Sequence, residues 1–312
     1  MNEFDLIARL TRSLPTDERT VVGAGDDCAV LDLGLPDRWL LFKTDAVVEG
    51  VHFDKTAPLE KIGHKALGRC LSDVAAMAGT PTHALITLAL PGNFDADAVE
   101  RVYVGMKLLA ARHDVAIVGG ETTTNPERML ISVCVLGTVL KGKSPLRSGA
   151  LAGDAIFVTG ELGGSAAGKH FDFEPRLAEA RWLADRFTIH AMMDISDGLA
   201  GDLPHLLKAS RVGAELLSEA IPVSRAAGLA ARAESSARSP LLAALADGED
   251  FELLFTVAGG DVVPLLDAWK KQFTGLRLSC IGRITAEPRL TIRDKKGVQP
   301  LAVHGYVHFQ KS

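Results

Sequence analysis

"KIGHKALGRCLSDVAAMAGTPTHALITLALPG", Lys61 to Gly92, carries a helical pattern over Lys61–Met77 and then an apolar run, Leu85–Leu90, that reads as a strand. The same alternation surrounds it: strands are predicted near Val30–Leu33, Trp39–Lys43, Val115–Val118 and Met129–Val139, and a second helix over Asp95–His113. Helices alternating with strands rich in Val, Ile and Leu indicate an α/β or α+β layer fold. Periodicity breaks at "LKGKSPLRSGALAGD", which gathers glycine, proline, serine and positive charge and places a domain boundary between residues 1–146 and 147–312. Beyond it, strands are predicted at Ala155–Thr159, Met192–Ile195, Ala214–Leu217, Phe251–Val257, Leu278–Ile284 and Leu290–Arg293. Helical patterns fill Arg176–Arg186, Leu199–Ala209, Pro240–Ala246 and Val262–Phe273, and "RAAGLAARAESSARS" is expected to be a mobile helix or loop.

An apolar share of 47% over 312 residues leaves material for real cores. A formal charge of -5 without any long Lys/Arg run argues against a nucleic-acid or anionic-membrane surface. Cys28, Cys70, Cys134 and Cys280 lack C-x-x-C spacing, so neither a disulfide framework nor a zinc site is signalled, and a reducing cytoplasm fits. "MNEFDLIARLTRSL" reads as an amphipathic helix and not a secretion signal. Met129–Leu140, the longest apolar stretch, is too short to span a bilayer.

Carboxylates stand out because they sit in glycine-containing junctions beside apolar segments. Asp26 and Asp27 lie in "GAGDDCAVLDL", Asp45 follows a predicted strand in "FKTDAVVEGVHF", and Glu121 follows a buried-looking strand in "VGGETTT". Asp194 and Asp197 lie in "MMDISDGLAGDL". Each alone suits a turn former, a helix cap or a first-turn charge. Asp73 does not, since a carboxylate amid Leu71, Val74, Ala75, Ala76 and Met77 is costly to bury unless paired or metal-bound. Acids in this number, without a Cys/His pattern, call for a hard cation such as magnesium carrying phosphates. Phosphoryl transfer then needs positioning and charge neutralisation. A phosphate-monoester acceptor, with a second pKa of about 6, needs no dedicated base, which suits a chain without Ser-His-Asp, Cys-His or H-E-x-x-H arrangements. Glycoside hydrolysis is disfavoured by too many acids and 5% aromatic residues.

"GGSAAGKH", Gly163–His170, comes within one residue of the P-loop pattern, but His170 replaces the hydroxyl that would ligate magnesium. A strand, a tight turn and a small-residue helix start explain it better.

Taken together, "GAGDDCAVL", "KTDAVVEGVHF", "HKALGRCLSDVAAMAGTP", "GGETTT", "LRSGALAGD", "DISDGLAGDL" and "GEDFELLFT" stand in the order found in the thiamine-monophosphate kinase family, which the chain resembles over nearly its full length. That family belongs to the superfamily of aminoimidazole ribonucleotide synthetase, selenophosphate synthetase and the hydrogenase maturation dehydratase. The resemblance implies a two-domain fold. An N-terminal ATP- and magnesium-binding domain pairs its sheet with a twin in a homodimer, and a C-terminal α/β domain closes the cleft. It implies direct transfer of the ATP γ-phosphoryl group to thiamine monophosphate with several Mg2+ ions. Metal contacts would fall at Asp27, Lys43, Thr44, Asp45, Asp73, Glu121, Asp194 and Asp197, some through backbone or water, and ATP contacts at Gly120, Glu121, Arg147 and Ser196. Substrate contacts would fall at His52, Glu249 and His304, with Asp73, Asp197 and Arg147 catalytic. The guanidinium fork of Arg147 suits a phosphate on its own chemistry.

Four positions depart from the family pattern. Glu121 stands for the usual aspartate, Lys43 for a small residue, and Asp247 for a second glycine. His304, with Tyr306 nearby, stands where an aromatic ring is usual. The alternatives are another ATP-using enzyme of the superfamily, or a nucleotide-binding protein with weak or no turnover. The chain shows neither the reactive N-terminal cysteine segment of a selenophosphate synthetase nor the C-terminal cysteine of the hydrogenase maturation enzyme.

Overall fold

The computed structural model describes residues 3–233, 239–303 and 305–306. They group into an N-terminal unit, Glu18–Ser144 with His170–Arg181, and a C-terminal unit, Met1–Asp17, Pro145–Lys169 and Trp182–Ser312. Helix α1 (Glu3–Thr11) therefore belongs with the second unit.

The N-terminal unit runs β1 (Thr20–Val22), β2 (Ala29–Leu31), β3 (Arg38–Val48), α2 (Leu59–Ala76), β4 (Thr80–Leu90), α3 (Ala96–Arg112), β5 (Ala116–Thr124) and β6 (Leu130–Leu140). Its sheet has the order β1-β2-β3-β6-β4-β5, antiparallel apart from the parallel β4–β5 pair. Alternation sets its faces: along β6, Ile131, Val133, Val135 and Val139 turn inward while their neighbours stay half-exposed. Helix α2 packs on β3, β6 and β4, and α3 packs on α2 and β5. The two helices approach so closely that a Cβ at Gly63 would stand 1.8 Å from the Val102 carbonyl oxygen, a crossing only glycine permits.

The C-terminal unit builds on β7 (Ala155–Thr159) and, after α4 (Lys169–Asp172) and α5 (Leu177–Arg186), whose residues are divided between the two units, on β8 (Ile189–Asp194), α6 (Leu199–Ser210) and β9 (Gly213–Leu217). It continues through α7 (Arg225–Ala233), α8 (Pro240–Ala246), β10 (Leu253–Val257), α9 (Val262–Gln272), β11 (Leu278–Thr285), β12 (Leu290–Asp294) and β13 (Gly297–Pro300). Its sheet order is β13-β12-β9-β11-β7-β10-β8, with β9–β12 parallel. Ile156, Val158, Leu203, Leu206, Leu254 and Ile281 form the heart of its core. Among the described residues no helix is long and apolar enough to cross a membrane.

Three boundaries differ from expectation in ways that matter. β3 continues through Val48, so Asp45 lies inside a strand and not after it. β5 continues through Thr124 as an exposed edge, so Glu121 is mid-strand and the strand is not buried. β10 starts at Leu253, later than Phe251, because Glu249 (φ 64°) and Phe251 (φ 51°) are left-handed and cannot join a ladder.

Candidate active site

In the N-terminal unit the acids meet where β3 faces α2. Leu41, Lys43, Asp45 and Val47 share the α2-covered face of β3, as the two-residue period requires. Arg69 and Asp73, four apart on α2, share one helix face. They pair crosswise. Lys43 Nζ donates to Asp73 Oδ1 at 2.7 Å, and Arg69 donates Nε to Asp45 Oδ2 at 2.9 Å and Nη2 to Asp45 Oδ1 at 3.3 Å. The buried carboxylate that demanded a partner thus has an ammonium. Burial pulls the Lys43 pKa down, but the Asp73 and Asp45 carboxylates outweigh it and hold the lysine above its usual value. Burial raises the Asp45 carboxyl, and the Arg69 and Lys43 charges bring it below its ordinary range.

Asp27, 1% exposed, lies in the loop before β2, and a carboxylate oxygen of Asp27 comes within 4.8 Å of one of Asp73. Hard oxygen donors so spaced fit magnesium. Thr44 differs. Its side chain lies on the opposite, exposed face of β3 and donates to the Val133 carbonyl at 3.2 Å, so only its backbone belongs to the Lys43–Asp45 stretch. Burial and the nearby Asp73 charge push the Cys28 thiol well above its ordinary pKa, as burial does for Cys70. Neither thiol is a nucleophile.

Gly120 (φ 155°) sits beside the irregular β4–β5 register, where an added Cβ would stand 1.7 Å from the Ile86 carbonyl oxygen. Glu121 is exposed and its Oε1 accepts the Thr122 amide at 3.0 Å. His52 Nδ1 accepts the Val48 amide at 3.0 Å, which leaves the proton of the neutral ring on Nε2. The fully buried Lys65 fixes this turn by donating to the His52 carbonyl at 2.6 Å, and it also bonds His170 Nδ1 at 2.8 Å.

In the C-terminal unit Asp194 ends β8, 4% exposed, and the chain turns through Ser196 and Asp197 into α6. The helix cap is Gly198, not Ser196 or Asp197. Asp202 organises the turn: its Oδ2 accepts the amides of Ser196 and Asp197, both at 2.9 Å. Burial and then the charges of Asp197 and Asp194 push the Asp202 carboxyl well up, against the pull of the Asp197 amide and Arg147. Arg147 is half-buried, with its carbonyl held by Ser210 Oγ at 3.1 Å. Glu249 donates its amide to the Ser196 carbonyl at 2.7 Å, which fastens the "GEDFE" loop to the "DISDG" loop. The Tyr306 amide donates to the Asp197 carbonyl at 3.0 Å, while His304 lies outside the described residues.

The P-loop look-alike is decided by its own hydrogen bonds. The Gly163 amide donates to Asp250 at 2.9 Å and the Gly164 amide to Asp247 at 2.8 Å. Lys169 donates to Glu252 Oε1 at 2.9 Å and to the Glu161 carbonyl at 2.8 Å. The amides that would cradle phosphate hold carboxylates of this same unit. Sequence reading did not pick out Arg69, Lys65 or the structuring role of Asp202. The Arg69–Asp73 spacing of four was a usable signal; the other two depend on which loops meet.

The domain models place this arrangement in a class: residues 25–139 match "AIR synthase related protein, N-terminal domain" and residues 148–295 match its C-terminal domain. A thiamine-monophosphate kinase of Rhodopirellula baltica is 44% identical over 80% of this chain and 78% of its own. The Bacillus subtilis enzyme of that name is 32% identical over 99% and 100% of the two chains. The solved structure of AaThiL complexed with AMPPCP and TMP superposes with a TM-score of 0.82 at 31% identity, covering 99% of this chain and 97% of that one. The chain belongs to the thiamine-monophosphate kinase family.

Proposed function

We propose that this protein transfers the γ-phosphoryl group of ATP to thiamine monophosphate, giving thiamine diphosphate and ADP, and that it works with Mg2+ as a cytoplasmic homodimer. The observation that carries the reading is the pair of buried carboxylates, Asp27 and Asp73, whose oxygens approach within 4.8 Å in a chain of this family. Asp27, Asp73 and Asp45 of residues 1–146, with Glu121 and the backbone of Lys43 and Thr44, are the N-terminal ligands in this reading. Asp194 and Asp197 are those of residues 147–312. Magnesium bound there supplies charge neutralisation of phosphate oxygens.

The chain's own residues do the positioning. Gly120, Glu121 and Ser196 contact ATP, and the Arg147 fork takes a phosphate. Asp73, Asp197 and Arg147 act at the reacting group. His52, whose Nδ1 accepts the Val48 amide, and Glu249 contact the substrate in this reading. The acceptor oxygen belongs to a phosphate monoester with a second pKa of about 6, so it is largely ionised near neutral pH and no side chain has to remove a proton.

The test is ADP release from ATP and Mg2+ with thiamine monophosphate, thiamine, formylglycinamidine ribonucleotide or selenide as acceptor. ADP should form with thiamine monophosphate and not with the others. Release with a different acceptor, or none with thiamine monophosphate, refutes the proposal.

A further inference from the structure

The acidic cluster of the N-terminal unit brings cations of its own. Lys43 and Asp45, two apart on β3, face Arg69 and Asp73, four apart on α2. The pairs are Lys43–Asp73 at 2.7 Å and Arg69–Asp45 at 2.9 Å, with all four side chains at most 25% exposed. Both partners of each pair leave elements whose faces are fixed by core packing, so the pairs belong to the fold and are not flexible surface contacts. Asp27, Asp45 and Asp73 carry three negative charges, and Lys43 and Arg69 return two positive ones.

We propose that Lys43 and Arg69 are resident counter-cations of this cluster, so that the chain binds divalent ions more weakly, and fewer of them, than its carboxylates alone would. This rests on the reading that the cluster serves magnesium and nucleotide. A divalent ion approaching Asp73 meets an ammonium already on Oδ1, and two cations on one carboxylate repel each other at short range where water is scarce. Asp45 gives both oxygens to the Arg69 fork, so a metal held there shares each oxygen with a guanidinium N–H and is bound more weakly. The cluster keeps enough negative charge to take a metal at Asp27 and Asp73, while part of the charge compensation that phosphates require is supplied by the chain.

Mn2+ binding, counted by electron paramagnetic resonance in the presence of AMPPCP, tests this in wild type, Lys43→Met, Lys43→Arg and Arg69→Met. Lys43→Met should bind Mn2+ about tenfold more tightly or take one further ion per chain, Arg69→Met should shift the same way, and Lys43→Arg should match wild type. Circular dichroism melts confirm folding, and Lys43→Gln replaces Lys43→Met if that variant does not fold. Unchanged or weaker Mn2+ binding on loss of the Lys43 charge overturns the proposal. The measurement needs no acceptor. A wild type that fails to turn over thiamine monophosphate while its Lys43 variants bind more Mn2+ therefore refutes the proposed function and leaves this inference standing.

Discussion

At the residue scale, Asp73 is where burial and chemistry conflict most. A carboxylate 7% exposed is tolerated because Lys43 neutralises it. Asp73→Asn keeps the volume and removes the charge. ADP release with thiamine monophosphate should fall by about 10²-fold or more, while the far-UV circular dichroism spectrum stays that of wild type; a wild-type rate would refute the role. Asp250 offers a different test. Burial pushes its carboxyl up to about 7, against the pull of Lys169 and the Gly163 amide. The folded value lies above the ordinary 3.8, so folding favours the protonated acid. Its contribution to stability is then greatest at the acid end, falls as pH rises from about 4 to about 7, and is level above that. The slope from this group is at most about 1.4 kcal/mol per pH unit. Urea unfolding of wild type and Asp250→Asn between pH 5 and 8 should show the difference, wild type minus variant, declining to about pH 7. A difference that does not change with pH would refute the assignment.

At the scale of elements, the Gly163–Lys169 turn ties β7 to the loop before β10 inside one unit. Lys169 lies 2.9 Å from Glu252, which is 1% exposed, and 3.8 Å from Asp250, which is 0% exposed. Removing the lysine leaves buried carboxylates uncompensated, so Lys169→Ala should lose about 3 kcal/mol in denaturant unfolding. Its KM for ATP should stay within about twofold of wild type; a large rise in that KM would restore the phosphate-loop reading. Periodicity made most of the fold legible. Ala155–Thr159 and Pro240–Ala246 form as the sequence implies, and α2 and α3 deviate by a residue or two. Short edge strands such as β1 and β13 carry too few residues to show a period. Legibility of the site followed chemistry. Asp73 announced itself by standing in an apolar helix, whereas Arg69 looked like any helical arginine until β3 brought Asp45 opposite it. A sequence reports which residues are unusual in their own segment, and it hides pairings made between segments.

At the scale of the whole molecule, the N-terminal sheet is unevenly dressed. Helix α2 packs against three of its strands and α3 against β5, whereas Phe42, Leu85 and Val118 are 45%, 47% and 59% exposed. On β3 the cause is alternation: the face that carries Lys43 and Asp45 toward α2 necessarily sends Phe42 and Thr44 the other way. Large apolar side chains gathered on one sheet face mark an association surface when their combined area is left to water. A second copy of this chain placed about a two-fold axis would bring the same face opposite, which fits the homodimer proposed from the family. The protein should therefore sediment as a dimer at micromolar concentration. Phe42→Lys combined with Leu85→Lys should give a folded monomer, because charges placed on a self-facing surface meet their own copies. Light scattering coupled to gel filtration distinguishes the states. A wild-type monomer, or a double variant that remains dimeric, would show that this face does not join two chains.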